Sequence, residues 1–246
     1  MYFVASVFCP MANNYFQFQQ FTIHQDQCAM KVSTEACILG ALADTEKPNR
    51  ILDIGTGTGV LALMLAQRYN CPVDAVEIDK NAAGQAMENV KKSPWSRRIQ
   101  VFNRNIREFA ESNRQKYDLI VCNPPFFKDS EKSDNDAANL ARHETETFSM
   151  KLLAEVMKKL LSFTGKAFVI YPKFEALKFA DILESQNLRG HFNTVIRNQP
   201  DDKVFRMILE IQKSNSFAPS HNLSIREGNE YSQDLRLLMS DYYKKI

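Results

Sequence analysis

Residues 50–60 read Arg50-Ile51-Leu52-Asp53-Ile54-Gly55-Thr56-Gly57-Thr58-Gly59-Val60. An apolar, β-branched run breaks into three alternate glycines and resumes as a helical pattern. Strand, glycine turn and helix open a crossover unit. Glycines there let the chain turn tightly and let a ligand approach the backbone at the carboxyl edge of a parallel sheet. The spacing is GxGxG, with Val60 where a dinucleotide fold carries its third glycine or alanine, which disfavours a nicotinamide cofactor. Glu77 ends the next apolar run twenty residues after Gly57, where a carboxylate can accept both hydroxyls of a ribose. Together these features point to a nucleotide-type cofactor without a pyrophosphate, S-adenosylmethionine.

Outward from that turn the chain alternates. Strand-like runs at Arg50–Ile54, Val73–Glu77, Ile99–Asn103, Tyr117–Cys122 and Lys166–Tyr171 are separated by helical patterns at Val60–Tyr69, Asn81–Lys92 and Met150–Leu161. Phe174–Ser185 adds a further helix, and runs near Phe192–Ile196 and Val204–Gln212 follow. Such alternation predicts an α/β fold with parallel strands, right-handed crossovers and helices on both faces. The last two runs are joined by the short polar loop Arg197–Lys203, which has room only for an antiparallel hairpin at the sheet edge. The expectation is a mostly parallel seven-strand sheet with an antiparallel last strand, the class I methyltransferase (Rossmann-like) arrangement. Ahead of it, Cys28–Ala43 reads as an extra helix and Tyr15–Ile23 as a short strand; Gln233–Tyr243 is a final helical pattern. Residues 1–45 are read as an N-terminal extension with cofactor-lid elements, and 46–246 as the methyltransferase domain, effectively one domain.

The fourth run ends in Asn123-Pro124-Pro125-Phe126. Asn-Pro and Pro-Pro also serve as plain strand terminators, but this strand end faces the same crevice as the glycine turn. An exocyclic amine conjugated to an aromatic ring is a poor nucleophile. Two acceptors aimed at its hydrogens, the Asn123 side-chain oxygen and the Pro124 carbonyl, would hold its lone pair toward a sulfonium methyl. Prolines fix such a loop and remove competing donors. Phe126 offers a flat face for stacking a flipped base.

Composition excludes several classes. Of the 246 residues, 44% are hydrophobic and 24% charged, and eight glycines and nine prolines are too few for a fibrous or low-complexity chain. Five cysteines, Cys9, Cys28, Cys37, Cys71 and Cys122, with no CxxC spacing argue against a disulfide framework or zinc cluster and for a reducing compartment. The four histidines, His24, His143, His191 and His221, never fall at metal-ligand spacing, so no metal is expected. No apolar run reaches the ~18–20 residues of a membrane span. The uncharged opening is broken by Pro10, Asn13, Asn14, Gln17, Gln19 and Gln20 with no preceding Lys or Arg, which reads as non-signal. The net charge of +2 conceals an uneven distribution: residues 1–79 carry net −4 and residues 80–116 net +6. Within the basic stretch Lys91, Lys92, Arg97 and Arg98 flank Trp95, either as a grip on an RNA backbone or as a solvated face over a packed tryptophan.

The chain resembles the bacterial tRNA(Val) adenosine-37 N6-methyltransferases, a family of the class I methyltransferase fold, from Met11 onward. The resemblance rests most on the opening stretch, Phe18-Gln19-Gln20-Phe21-Thr22-Ile23 followed by Gln25-Asp26-Gln27-Cys28-Ala29-Met30-Lys31-Val32-Ser33-Thr34-Glu35. The glycine turn, the Asn123–Phe126 motif and Ala141-Arg142-His143-Glu144 also match. It implies a cytoplasmic enzyme that methylates an adenosine N6 amine on tRNA with S-adenosylmethionine, yielding S-adenosylhomocysteine, with no obligate protein partner. It further implies that Lys31 and Thr34 contact the cofactor, Lys31 being alternatively a solvated helix-start lysine. Asp53, Gly55, Gly57, Gly59, Glu77 and Asn105 complete the expected cofactor set. Asn105 stands where the family usually carries Asp; it either reads the adenine amine or caps the following helix. Ser33 replaces the usual Gly. Arg142 and His143 either pair with phosphate, or order the polar loop 128–139, or form an ordinary exposed helix start. Competing readings are a release-factor glutamine methyltransferase, an rRNA guanine-N2 enzyme, a DNA adenine methyltransferase and a non-catalytic RNA-binding module. The first usually has a helical N-terminal domain, the second a duplicated domain and the third a target-recognition region, none of which is evident here. The last would show eroded motifs.

Overall fold

The structure is a computed structural model describing residues 13–124, 148–214 and 216–244. Pro125, Phe126, the polar stretch 128–139, Arg142 and His143 lie outside the described residues.

In chain order the elements are β1 (Tyr15–Gln17), β2 (Thr22–His24), α1 (Thr34–Leu42), β3 (Ile51–Ile54), α2 (Val60–Arg68), β4 (Val73–Glu77), α3 (Lys80–Lys91), β5 (Ile99–Asn103), α4 (Ile106–Ser112) and β6 (Tyr117–Cys122). After these come α5 (Met150–Leu160), β7 (Leu161–Tyr171), α6 (Lys173–Ser185), β8 (Arg189–Arg197), β9 (Arg206–Gln212), β10 (His221–Ser224), β11 (Arg226–Glu227), β12 (Glu230–Tyr231) and α7 (Gln233–Met239). Eight strands form one sheet in the order β10-β8-β9-β7-β6-β3-β4-β5. Strands β5, β4, β3, β6 and β7 are mutually parallel, whereas β9 runs antiparallel to both β7 and β8.

Central strands covered on both faces need apolar residues at every position rather than alternate ones. Ile51–Ile54 is buried throughout, although one of its four residues is Asp53. Successive side chains go to opposite layers. Ile51 and Leu119 join Leu39, Leu63 and Met64 on the α1–α2 face. Leu52 and Ile120 join Phe109, Leu153 and Phe179 on the face of α4, α5 and α6. The α1–α2 crossing is close: a Cβ at Gly40 would fall 2.8 Å from Met64 Sδ, so only glycine fits there without moving the core.

Two arginines close helix ends. Arg68 donates to the carbonyls of Ala43, which caps α1, and Gly40 in its last turn, at 2.8 and 3.1 Å. Arg98 donates to Ala66 O at 2.8 Å and to Tyr69 O, satisfying carbonyls that α2 leaves open.

The chain before α1 is fastened at several points. β1 and β2 pair as a hairpin, and Phe18, Phe21 and Ile23 enter the same core as Leu39 and Ile51. Gln19 Nε2 donates to Ser240 O and Tyr243 O at 2.6 and 2.7 Å, and Phe18 bridges Tyr243. Asn89 of α3 exchanges two hydrogen bonds with the backbone of His24, at 2.9 and 2.8 Å. Gln85 Oε1 accepts from Gln27 N at 3.0 Å, and Gln25 Oε1 from Val32 N at 2.9 Å. Residues 25–32 are thereby held as a strap beside the carboxyl ends of the strands.

Three expectations change in detail. The sheet has one strand more than seven, because His221–Ser224 adds in parallel to β8. Its HNLS sequence buries only Leu223 and carries no strand-like alternation. The antiparallel β9 lies inside the sheet because it inserts between β7 and β8, and β10 holds the edge beside β8. The helix expected from Cys28 begins at Thr34, where the Ser33 hydroxyl caps Ala36 N at 3.2 Å.

Candidate active site

The carboxyl ends of β3, β4 and β6 open into a cavity of about 280 Å³, roofed by the strap residues Cys28–Val32. The glycine turn forms one wall. Gly55, Gly57 and Gly59 have φ of +71°, +54° and +85°, the left-handed region that disfavours side chains. Nothing lies within 4 Å of where a Cβ on Gly55 or Gly57 would sit, so the backbone faces open cleft. A Cβ on Gly59 would instead come into ordinary contact with Ala86 of α3 at 3.5 Å, so its φ alone disfavours a side chain.

Two carboxylates hold the turn from opposite sides. Asp53 lies beneath it, fully buried. Its Oδ2 accepts from the Thr56 hydroxyl at 2.5 Å and from Ala62 N at 3.1 Å, while its Oδ1 has no partner among the described residues. Burial pushes this carboxyl up from 3.8 to about 7, opposed by those two hydrogen bonds and reinforced by the Glu77 charge. Glu77, half-buried at the end of β4, accepts from Gly57 N through Oε2 and from Asp79 N through Oε1, both at 2.9 Å. Each oxygen keeps a lone pair for a ligand hydroxyl at the cavity rim.

Asp53 carries a pH dependence. Its pKa is raised on folding, so the folded state binds the proton more tightly than the unfolded chain does. Stability therefore falls as pH rises from about 4 to about 7 and levels off above. The loss is on the order of 4 kcal/mol at most. Asp53→Asn is expected to melt above the wild type at pH 8 in cofactor-free buffer, with the gap closing toward pH 5. Equal gaps at both pH values would contradict this account.

Beside the turn, Cys122 ends β6 in register with Ile54 of β3, and Asn123 follows it. Asn123 lines the cavity, and its Oδ1 is buried with no hydrogen-bond partner among the described residues. A buried acceptor left unpaired costs roughly 1–3 kcal/mol, so Asn123 Oδ1 stands ready to accept from a donor brought into the cavity. Pro124 is buried and also lines the cavity. The cleft also contains two thiols. Burial, then Glu77, Asp79 and Asp26, pushes Cys28 to about 11; burial, then Asp53 and Glu77, pushes Cys122 well above the usual thiol range. Neither is available as a thiolate near neutral pH.

The structure brings together Lys31, Gly55, Gly57, Glu77, Asn123 and Pro124 around this one cavity. Thr34 is not among its lining residues. It sits in the first turn of α1 and lines a separate depression with Glu35, Phe205 and Tyr231. Asn105 caps α4 through its side-chain oxygen, 2.8 Å from Arg107 N, while its neighbours Arg104 and Ile106 line the cleft. Met30, Asp79 and Phe148 also line it without having been expected. Only Asp79 had a readable signal, as the Asp opening a helix two residues past Glu77, where it caps Ala82 N at 2.8 Å.

The basic cluster moves away from the cleft. Lys91 and Lys92 close the twelve-residue α3, whose other end adjoins the cavity, so they lie about 18 Å along the helix toward the opposite sheet edge. Arg98 is engaged on α2, and Trp95 is buried edge-on to Phe21 at 5.6 Å. Lys91, Lys92 and Arg97 are exposed.

A mostly parallel sheet in this strand order, with a glycine turn, an acidic strand end and an acceptor-tipped fourth core strand around one cavity, defines a class I S-adenosylmethionine-dependent methyltransferase. The methyltransferase small domain family matches residues 30–160. The chain is 41% identical to a tRNA1(Val) (adenine(37)-N6)-methyltransferase of Parabacteroides distasonis, covering 96% of this chain and 100% of the relative. It is also 41% identical to one of Trichodesmium erythraeum, with the same coverage. The chain belongs to the tRNA1(Val) (adenine(37)-N6)-methyltransferase family. A solved structure of a predicted O-methyltransferase from Agrobacterium tumefaciens shares the fold, with a TM-score of 0.65 at 16% identity over 84% of this chain and 95% of that one.

Proposed function

We propose that this chain transfers a methyl group from S-adenosylmethionine to the N6 amine of adenosine 37 in tRNA(Val), in the cytoplasm and without a metal. The observation that carries the reading is the buried Asn123 Oδ1, without a partner among the described residues, in the same cavity as the glycine turn and Glu77. The cofactor, when bound, supplies a methyl group on an electrophilic sulfonium. Glu77 accepts ribose hydroxyls, and the turn at Gly55 and Gly57 admits the cofactor against bare backbone. Lys31 and the strap from Cys28 to Val32 form the lid of the pocket, and residues 46–246 the catalytic domain. Asn123 Oδ1 and the Pro124 carbonyl accept the two N6 hydrogens and turn the lone pair toward the donor. Pro125 and Phe126 belong to the same motif, Phe126 as the stacking face for the flipped base. No strong base is needed, because the nitrogen becomes acidic only as it acquires the methyl group.

The test is methyl transfer from labelled cofactor to unmodified tRNA(Val), with the product nucleotide mapped by mass spectrometry. The expected product is N6-methyladenosine at position 37. Label in the glutamine of a release factor, with none in tRNA, would replace the substrate assignment.

A further inference from the structure

The second depression, lined by Thr34, Glu35, Asn198, Phe205, Arg226 and Tyr231, has a volume of about 280 Å³. Strands β8 and β10 run parallel to β7, so their ends open on the same sheet edge as the cleft. Lys31 lines the cleft and Thr34 the depression. Three residues reach at most about 11 Å, so lining residues of the two openings stand no farther apart than that.

Its frame is fixed by backbone hydrogen bonds: Phe205 N to Ile196 O at 2.8 Å, Ile225 N to Arg197 O at 2.9 Å and Arg226 N to Asn198 O at 2.8 Å. Its chemistry is aromatic and cationic. The Arg226 guanidinium lies 5.0 Å from the Tyr231 ring centroid and is steered by a 2.8 Å bond to Asn229 O. Arg206 lies 4.1 Å from the Phe205 centroid. Arg206 also pairs with Glu35 at 3.2 Å, cancelling the acidic group of the lining. What remains is an exposed guanidinium backed by a ring, with the Asn198 amide and Thr34 hydroxyl as polar edge groups. Unpaired RNA bases are held in this way, stacked on rings or guanidinium planes and hydrogen-bonded at their edges.

We propose that this depression receives an unpaired base of the substrate RNA neighbouring the one being methylated, with Arg226 on Tyr231 as its stacking platform. The inference rests on the RNA-methylating reading above. It makes Tyr231, Arg226 and Asn198 substrate-positioning residues, removed from the transferred methyl.

The experiment is steady-state methylation of tRNA(Val) transcripts by the wild type, Arg226→Ala, Asn198→Ala, Tyr231→Ala and Tyr231→Phe, alongside calorimetric cofactor binding. For Tyr231→Ala and Arg226→Ala the KM for tRNA should rise about tenfold, the loss typical of one stacking contact, at unchanged kcat and cofactor Kd. Tyr231→Phe should stay within twofold of the wild type, since it keeps the ring. Exposed Arg226 and Asn198 carry the test should Tyr231→Ala misfold. A wild type that methylates tRNA while all four variants keep its KM overturns the base pocket and leaves the catalytic reading intact. A wild type that transfers no methyl to RNA overturns both.

Discussion

Asn123→Ala is expected to lower kcat for tRNA methylation by roughly 10²–10³-fold, the effect of removing one preorganised polar group from a reacting centre. Cofactor affinity should change little, because the ribose acceptor Glu77 and the backbone of the glycine turn are left intact. Stability should hold or rise slightly. Asn123 Oδ1 has no partner among the described residues, and deleting a buried unsatisfied acceptor removes a penalty rather than a bond. A variant that melts like the wild type and binds cofactor normally, yet turns over hundreds of times more slowly, identifies the acceptor as catalytic. Turnover within threefold of the wild type at saturating tRNA would refute that role.

Glu77→Ala is expected to weaken S-adenosylmethionine binding by about 10²-fold or more. The carboxylate holds Gly57 N and Asp79 N at 2.9 Å, and hydrogen bonds to charged groups contribute ~1.5–3 kcal/mol each. Its removal loosens the turn, frees the start of α3 and deletes the acceptor for ribose together. Glu77→Gln keeps one acceptor oxygen and should fall between, near tenfold. Isothermal titration of the three proteins separates these values; a Glu77→Ala Kd within threefold of wild type would sink the ribose assignment.

The central strands, their crossover helices and the gathering of Gly55, Glu77 and Asn123 at one cavity were legible because each has a local signature. Apolar runs mark buried parallel strands, and special φ angles demand glycine. What was not legible depends on tertiary geometry. His221–Ser224 joins the sheet because β8 offers an open edge; nothing in HNLS announces it. The charge of residues 80–116 is visible in one dimension, but the direction of α3 sends Lys91 and Lys92 to the far edge. Arg98 looks like its neighbour Arg97 in sequence, and differs only because α2 ends beside it with open carbonyls. Asn105 left two readings open, and the 2.8 Å bond to Arg107 N shows its oxygen engaged in the cap.

The fastening of Gln19 to Ser240 and Tyr243 has a consequence for biosynthesis. The strap that roofs the cleft follows a hairpin whose anchor lies 224 residues further along the chain. At ~5–20 residues per second, a ribosome needs roughly 10–45 s to travel that distance. The catalytic sheet can assemble in the meantime, but its roof lacks its last tether. A nascent chain is therefore expected to bind cofactor poorly until α7 and the residues up to Tyr243 have emerged.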